Sequence, residues 1–107
     1  MQLTNNEKNG YKVIEFEGSL DTGTSPTVEK AINEFIDNGT LKFVFNFEKT
    51  KYMSSSGLRV LLATAKKLKG KGELKISNLN EVIKEVFDVS GFSSILNVYN
   101  TEEEALS

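Results

Sequence analysis

Residues 46–69, NFEKTKYMSSSGLRVLLATAKKLK, decide how the chain folds and where its functional site is expected. The apolar aromatic run LKFVFNF at 41–47 leads into this stretch, and its alternating phenylalanines predict a central strand. Three serines and a glycine follow at 54–57, where an amphipathic helix begins. We therefore interpret TKYMSSSG, residues 50–57, as a loop that leaves the strand and enters the helix. The apolar side of that helix comprises Leu58, Leu61, Leu62, Ala65 and Leu68.

The N-terminal part of the chain predicts a β-hairpin followed by a helix. Two extended pieces flank an Asn-Gly pair at 9–10, which is a strong signal for a tight hairpin turn. Residues 25–39, SPTVEKAINEFIDNG, are typical of a helix, with Ser25 as N-cap, Pro26 as the first helical residue and Asn-Gly at 38–39 as the stop. The apolar face of this helix is expected to comprise Val28, Ala31, Ile32, Phe35 and Ile36.

The C-terminal part predicts a strand, a third helix, an extended piece and a short acidic helix. The strand is ELKIS at 73–77, and the extended piece is SILNVYN at 94–100. The third helix is NLNEVIKEVFDVSG at 78–91, with a Ser-Gly stop. The last helix is TEEEALS at 101–107, with Thr101 as its cap and glutamates in the first turn, where the helix dipole favours them. The inward side of the third helix is expected to comprise Leu79, Val82, Ile83, Val86 and Phe87.

Strands that alternate with helices predict an α/β fold with right-handed crossovers, formed by a single domain over residues 1–107. The opening hairpin adds an antiparallel edge, so we expect a mixed β-sheet of about five strands packed against about four α-helices. In such folds ligands and partners meet the chain at loops that leave the carboxyl ends of strands. The segment at 50–57 is expected to be such a loop.

Composition argues against several classes of function. The 107 residues carry a formal net charge of −2, without the basic surface that a nucleic-acid-binding domain requires. The chain has no cysteine, which excludes disulfides and thiolate zinc sites, and no histidine, which excludes Ser-His catalysis. The N-terminus has no apolar signal region, and no apolar run approaches membrane-spanning length. We therefore expect a cytoplasmic protein with no cofactor, no metal site, no direct contact with nucleic acid and no membrane insertion.

The serines at 54–56 allow two interpretations. In the structural one, a serine caps the helix, because its side-chain oxygen accepts a hydrogen bond from an otherwise unpaired backbone N–H. Three serines exceed that need, although small polar residues are common in loops. In the functional one, a serine at the helix start accepts a phosphate, which adds a charge of roughly −1.5 to −2. The free N–H groups and the dipole stabilise an anion there, so a docking surface would change without unfolding the domain.

Three stretches together resemble the STAS domain family of bacterial anti-sigma factor antagonists. KYMSSSGLRVLLATAKKLK at 51–69 is similar to the family signature, an apolar pair, then Asp-Ser-Ser-Gly-Leu-Gly, then an apolar helix. FEGSLDTGTSPTVEKAI at 16–32 resembles the family segment of Gly, any residue and Leu-Asp before the first helix. VIKEVFDVSGFSSILNVYNTEEEAL at 82–106 resembles its C-terminal segment, with the Ser-Gly stop and the Glu-rich helix. Because these stretches cover nearly the whole chain in order, the resemblance implies a STAS-like version of the expected sheet.

The resemblance implies a binding switch rather than an enzyme. In this family the unmodified domain binds an anti-sigma factor, which is a serine kinase, and so releases a sigma factor. The kinase phosphorylates one serine at the helix start, and a PP2C-type phosphatase removes the phosphate. Carried over by position, the phosphorylated residue is Ser55, with Ser54 and Ser56 as the alternatives. The residues expected to bind the partner are Asp21, Ser54, Ser55, Ser56, Gly57 and Arg59.

Two positions depart from the family pattern. Ser54 stands where the family has the aspartate before the phosphorylated serine, so the capping ability is kept and the charge is lost. Arg59 stands where the family has a glycine, one helical turn after Ser55 and on the same helix face. This arginine either pairs with a phosphate, alters the choice of partner or is simply solvated. Asp21 is also a good turn former, and the turn role and the site role are compatible.

Two other functions remain open at this stage. One is a STAS-type scaffold subunit of a signalling or lipid-transport complex that is never phosphorylated, which the missing aspartate favours. The other is an enzyme or nucleotide binder. For this class the P-loop pattern is absent, and a Ser-Lys hydrolase that uses Lys49 or Lys51 has no oxyanion-hole motif to support it. A phosphate ligand cradled by the serine loop would be compatible with an α/β fold.

Overall fold

A mixed sheet of six strands, flanked by four α-helices and a short 3-10 turn at Phe92–Ser94, forms the protein. The computed structural model describes all 107 residues. The strands are β1 (Gln2–Lys8), β2 (Tyr11–Leu20), β3 (Lys42–Asn46), β4 (Thr50–Met53), β5 (Glu73–Ser77) and β6 (Asn97–Tyr99). The helices are α1 (Ser25–Asp37), α2 (Ser55–Leu68), α3 (Glu81–Val89) and α4 (Glu102–Leu106).

The strand order is β1-β2-β3-β5-β6, with β4 paired to the end of β2. Only β1 and β2 are antiparallel, and every other pair is parallel. The predicted mixed α/β sheet with an antiparallel edge is therefore confirmed. The predicted hairpin turn is confirmed as well, because Asn9 (φ 54°) and Gly10 (φ 84°) both adopt the left-handed backbone that a two-residue type I′ turn requires.

The alternation of side chains divides the sheet into two unequal faces. The smaller face is covered by α4, whose Ala105 packs on Val13 and Val44. The larger face lies under α1, α2 and α3 and forms the main core, as the alternation along the phenylalanine-rich strand predicts. The phenylalanine rings of this core pack in edge-to-face and stacked arrangements, and the ring centroids of Phe16 and Phe47 are 4.7 Å apart. Fully buried residues of this face include Ile14, Phe16, Phe43, Phe45, Phe47 and Ile76.

A strand lies where the sequence predicted a loop. Thr50–Met53 forms β4, whose Tyr52 and Met53 pair with Ser19 and Leu20 of β2. Because β2 has ten residues and β3 only five, the end of β2 has free backbone groups that β4 satisfies. The Thr50 hydroxyl also donates to the Phe16 carbonyl at 2.7 Å. The interpretation of the whole segment 50–57 as a loop is therefore wrong, since β4 and α2 leave only Ser54 between them.

The helices are short and amphipathic. In α2, the longest with 14 residues, Leu58, Leu61 and Leu68 are buried as predicted, whereas Leu62 and Ala65 are only half-buried. None of the helices combines the length with the apolar character needed to cross a bilayer.

The inward side of α3 is narrower than the sequence predicted. Ile83 and Phe87, four residues apart, are buried, and Leu79 packs partly against the core. Val82 and Val86 point to solvent with 68% and 39% of their surface exposed, so their assignment to the core is wrong. A nine-residue helix that contacts the sheet along one stripe buries residues spaced by four, and the valines lie about 100° away around the helix axis.

An ion pair fastens α4 to the hairpin. The Lys8 ammonium lies 2.7 Å from one Glu102 carboxylate oxygen, and the Asn46 side-chain amide donates to the other at 2.9 Å. Although burial favours the neutral acid, the hydrogen bonds from Lys8 and Asn46 hold the pKa of Glu102 below its ordinary value. The hydrogen bond to Glu102 raises the pKa of Lys8. Both charged forms therefore stabilise the contact at neutral pH.

Candidate functional site

The candidate site lies where β2 and β4 end side by side. The Ser54 N–H donates to the Leu20 carbonyl at 2.9 Å, which joins the start of α2 to the end of β2. Gly57 allows this approach, because a Cβ atom at that position would lie 2.7 Å from the Leu20 carbonyl oxygen. The glycine is therefore required by packing, and it brings the serines against the turn that begins at Asp21.

The three serines occupy three different environments. Ser54 is the N-cap of α2, with extended backbone and a side-chain oxygen that accepts the Gly57 N–H at 3.3 Å. The Ser56 hydroxyl pairs with the Thr22 hydroxyl at 3.2 Å and is half-buried. Ser55 is the first residue of α2, is exposed, and its hydroxyl makes no hydrogen bond within the protein. The capping interpretation thus accounts for Ser54 but not for Ser55.

Asp21 forms the turn between β2 and α1. One of its carboxylate oxygens accepts the backbone N–H groups of Gly23 at 3.0 Å and Thr24 at 3.1 Å. This is an Asx-type turn, so the predicted turn role of Asp21 is confirmed. The carboxylate bonds to its own loop and to none of the serines, and Thr22 provides the link to the serine segment.

The Asp21 turn also determines where α1 begins. The backbone N–H of Ser25 already bonds to the Asp21 carbonyl at 2.8 Å, and the Ser25 hydroxyl donates to that carbonyl at 2.5 Å. Ser25 is therefore the first residue of the helix and Thr24 is its N-cap. The prediction of Ser25 as the N-cap is wrong because the Asp21 turn satisfies the helix start one residue earlier.

Two exposed side chains lie close to Ser55 in sequence. Arg59 lies one turn further along α2 and points to solvent, without an acidic partner. Tyr52 lies at the end of β4 with 54% of its surface exposed. The sequence pattern grouped Tyr52 with Met53 as an apolar pair, yet only Met53 is buried. Aromatic and arginine side chains are enriched in protein interfaces, so the exposed tyrosine two residues before the serines is a candidate contact residue that the apolar-pair pattern did not single out.

The lysines considered for a Ser-Lys hydrolase are not part of this arrangement. Lys49 and Lys51 line an open depression with Glu17, Glu48 and Asn80 on the side of β4. The hydrogen bonds of the serine segment run to Leu20, Thr22 and Gly57 instead. An activated serine nucleophile needs a base within hydrogen-bond reach. The hydrogen bonds of the serine segment therefore bring no lysine base to any of the three hydroxyls.

We refer to Asp21, Thr22, Tyr52, Ser54, Ser55, Ser56, Gly57 and Arg59 as the serine surface. These residues lie at one edge of the mixed sheet, at the start of α2. They define an α/β domain with an exposed serine at a strand-to-helix junction. The STAS domain family matches residues 2–105, and the chain belongs to this family.

Three known proteins show the extent of the similarity. BtrV of Bordetella bronchiseptica is 34% identical over 106 residues, which cover 98% of this chain and 91% of that protein. The anti-sigma F factor antagonist of Paenibacillus polymyxa is 28% identical over 109 residues, covering 100% and 93% of the two chains. The Bacillus cell fate determinant SpoIIAA, solved in its phosphorylated form, superposes with a TM-score of 0.74 at 26% identity, over 98% of this chain and 96% of that chain.

Proposed function

We propose that this protein is an anti-sigma factor antagonist, a binding module that is switched by phosphorylation of Ser55. The observation that carries the proposal is the difference between the three serines. Ser54 and Ser56 hold the local structure through hydrogen bonds, whereas the Ser55 hydroxyl is exposed and unbonded. A kinase can reach Ser55 without breaking any bond of the fold. The relatives with an antagonist name and the phosphorylated SpoIIAA structure support the same function.

In the unmodified state the serine surface binds the anti-sigma factor and thereby releases the sigma factor. Tyr52 supplies an exposed aromatic side chain, and Arg59 supplies an unpaired positive charge. Aromatic and arginine side chains are the types that most often dominate binding energy. The rigid supports beneath them, Gly57 against Leu20 and the Asp21 turn, keep the surface ordered before binding, which lowers the cost of association.

Phosphorylation of Ser55 abolishes the complex by changing the charge at its centre. A phosphate adds a charge of roughly −1.5 to −2. Burying that charge in an interface without a matching partner is costly. Because the Ser55 hydroxyl is free, the modification leaves the domain folded, so the signal is read only by a docking partner.

The proposed partners are those that the family resemblance implies. The anti-sigma factor is itself the serine kinase that modifies Ser55, and a PP2C-type phosphatase resets the switch. The protein acts in the cytoplasm, where these partners and the sigma factor are found, and it works by binding rather than by catalysis. Asp21, Ser54, Ser56 and Gly57 build the surface rather than carry the phosphate.

The test combines phosphorylation with binding. The protein is incubated with ATP and the candidate serine kinases of its host, and intact mass and peptide mapping locate the phosphate. We expect one phosphate on Ser55, absent in Ser55→Ala. Binding of Ser55→Asp to the same kinase should be at least about tenfold weaker than that of Ser55→Ala, which corresponds to about 1.4 kcal/mol. Equal affinities of the two variants would contradict the proposal, and a phosphate on Ser54 or Ser56 would move the switch to that residue.

A second function is favoured by one observation. Ser54 occupies the position of the family aspartate and serves as a neutral cap, so no carboxylate precedes Ser55. This departure suits a STAS scaffold subunit that binds its partner without being phosphorylated. A stable complex with a partner that is unaffected by ATP, and an unmodified mass after incubation, would select the scaffold function.

A further inference from the structure

We propose that Arg59 is the intramolecular counter-ion of a phosphate on Ser55, so that phosphorylation withdraws Arg59 from the docking surface. The inference rests on the proposed phosphorylation of Ser55 and adds a second element to the switch. One modification then changes two features of the surface: it adds a negative charge and removes the positive charge that a partner would contact.

The geometry of α2 brings the two residues together. Ser55 is the first residue of the helix, and Arg59 follows four positions later. Residues with this spacing lie on one face with about 5–6 Å between their Cβ atoms. Because Cα–Cβ bonds tilt toward the helix N-terminus, the arginine side chain extends back over the turn that contains Ser55. The guanidinium can therefore approach a phosphate on Ser55 from the same helix face.

Arg59 is available for this role because nothing else in the protein neutralises it. The segment Ser55–Leu68 contains no acidic residue. The two ion pairs of the protein join Lys8 to Glu102 and Lys12 to Glu7, both remote from this helix in sequence. Arg59 is also the only basic residue in the first two turns of α2, since the next ones are Lys66 and Lys67. A phosphate on Ser55 would therefore meet one free cation on its own helix face.

The chemistry favours an arginine over a lysine. A phosphate presents three acceptor oxygens, and the planar guanidinium donates two parallel N–H groups to such a group. A lysine offers a compact point charge without this fork. The pair favours the dianionic phosphate over the monoanionic form, because the second negative charge strengthens both hydrogen bonds. The second ionisation of the phosphate therefore reports directly on the contact.

The test measures that ionisation by phosphorus NMR. Phosphoserine is incorporated at position 55 of the full chain during translation, so no kinase is needed. The apparent second pKa of the phosphate is then determined in the otherwise unchanged chain and in Arg59→Gln, Arg59→Lys and Lys66→Gln. Lys66→Gln is the matched control, because it removes one exposed positive charge that lies about 16 Å from Ser55 along the helix axis. This distance exceeds the screening length at physiological salt.

The expected result is specific to Arg59. Arg59→Gln should raise the second pKa of the phosphate by about 0.3 unit, as for an exposed charge pair on one helix face. Lys66→Gln should leave it unchanged, and Arg59→Lys should restore only part of the difference. The same pKa in Arg59→Gln and in the unsubstituted chain would overturn the inference, and full restoration by lysine would overturn the role of the guanidinium fork.

This result is independent of the test of the proposed function. The NMR titration contains no partner protein, whereas the proposed function depends on the affinity of the anti-sigma factor for the modified and unmodified chains. A shifted pKa with equal affinities would remove the switch and keep the pairing. A constant pKa with unequal affinities would keep the switch and remove the pairing.

Discussion

Replacing Gly57 by alanine tests the packing that supports the serine surface. A Cβ atom at this position would lie 2.7 Å from the Leu20 carbonyl oxygen, 2.8 Å from Leu20 Cγ and 3.0 Å from Met53 Cγ. Alanine gains about 1 kcal/mol over glycine inside a helix. Overpacking costs about 1–3 kcal/mol, and the cost here lies at the upper end because the Leu20 carbonyl is held by the Ser54 N–H. We expect Gly57→Ala to lose about 2 kcal/mol of unfolding free energy.

Urea unfolding followed by circular dichroism measures this loss, which corresponds to a fall in Tm of about 10 °C. Gly23→Ala is the matched control, because the backbone at Gly23 is not left-handed and an added Cβ would meet only the Asp21 carboxylate at 3.5 Å. That variant should be unchanged or slightly more stable, since alanine restricts the unfolded chain. A Gly57→Ala protein as stable as the unsubstituted one would refute the reasoning, because α2 would then be free to move away from β2.

Three further predictions test the Ser54 cap, the loss of stability at acid pH and the orientation of α3 on the sheet. Ser54→Ala should lose about 1 kcal/mol of unfolding free energy through the missing N-cap, whereas Ser55→Ala should change it little, and equal losses in urea melts would contradict the assignment. Because the pKa of Glu102 is lowered in the fold, its carboxylate stabilises the protein above about pH 4.5 and this contribution disappears on acidification, so the stability difference from Glu102→Gln should shrink below that pH. Ile83→Ala should lower the unfolding free energy by about 2–4 kcal/mol, and Val82→Gln should leave it almost unchanged. The reverse order in thermal melts would contradict the burial of Ile83 and the exposure of Val82.

The parts of the fold that the sequence predicts correctly depend on residues that are neighbours in sequence. The Asn-Gly pair fixes the hairpin because both residues tolerate the left-handed backbone of the turn. The alternation in β3 identifies a central strand because its two sides face different layers. These features depend on neighbours in sequence, and the structure confirms them.

The mistaken parts depend on partners that are distant in sequence. β4 is too short and too polar to be recognised alone, and it becomes a strand because the unpaired end of β2 lies beside it. Val82 fits a helical apolar face by spacing, but a nine-residue helix on one stripe of contact has no surface left to bury it. Tertiary context therefore decided both outcomes, as it does whenever local propensity is weak.

In the candidate site, too, one part is predicted by local pattern and another depends on residues that are distant in sequence. The sequence located the serines at a helix start, but it could not tell them apart, because the distinction rests on two contacts. The Thr22–Ser56 hydrogen bond joins residues 34 positions apart, and the Ser54 N–H bonds to the end of a strand that lies much earlier in the chain. Ser55 stands out only once these contacts have accounted for its neighbours.

The free state of Ser55 also limits where a partner has to bind under the proposed function. A phosphate that breaks no hydrogen bond of the fold leaves the domain without a conformational signal to transmit. Its effect must then act directly through charge, and screening confines that effect to about 8 Å at physiological salt. A partner that senses the modification must therefore cover the first two turns of α2, which contain Ser55 and Arg59. If Arg59 pairs with that phosphate as proposed, the same contact also loses its positive charge on modification. Affinity for the unmodified surface and rejection of the modified one would then arise from the same few atoms.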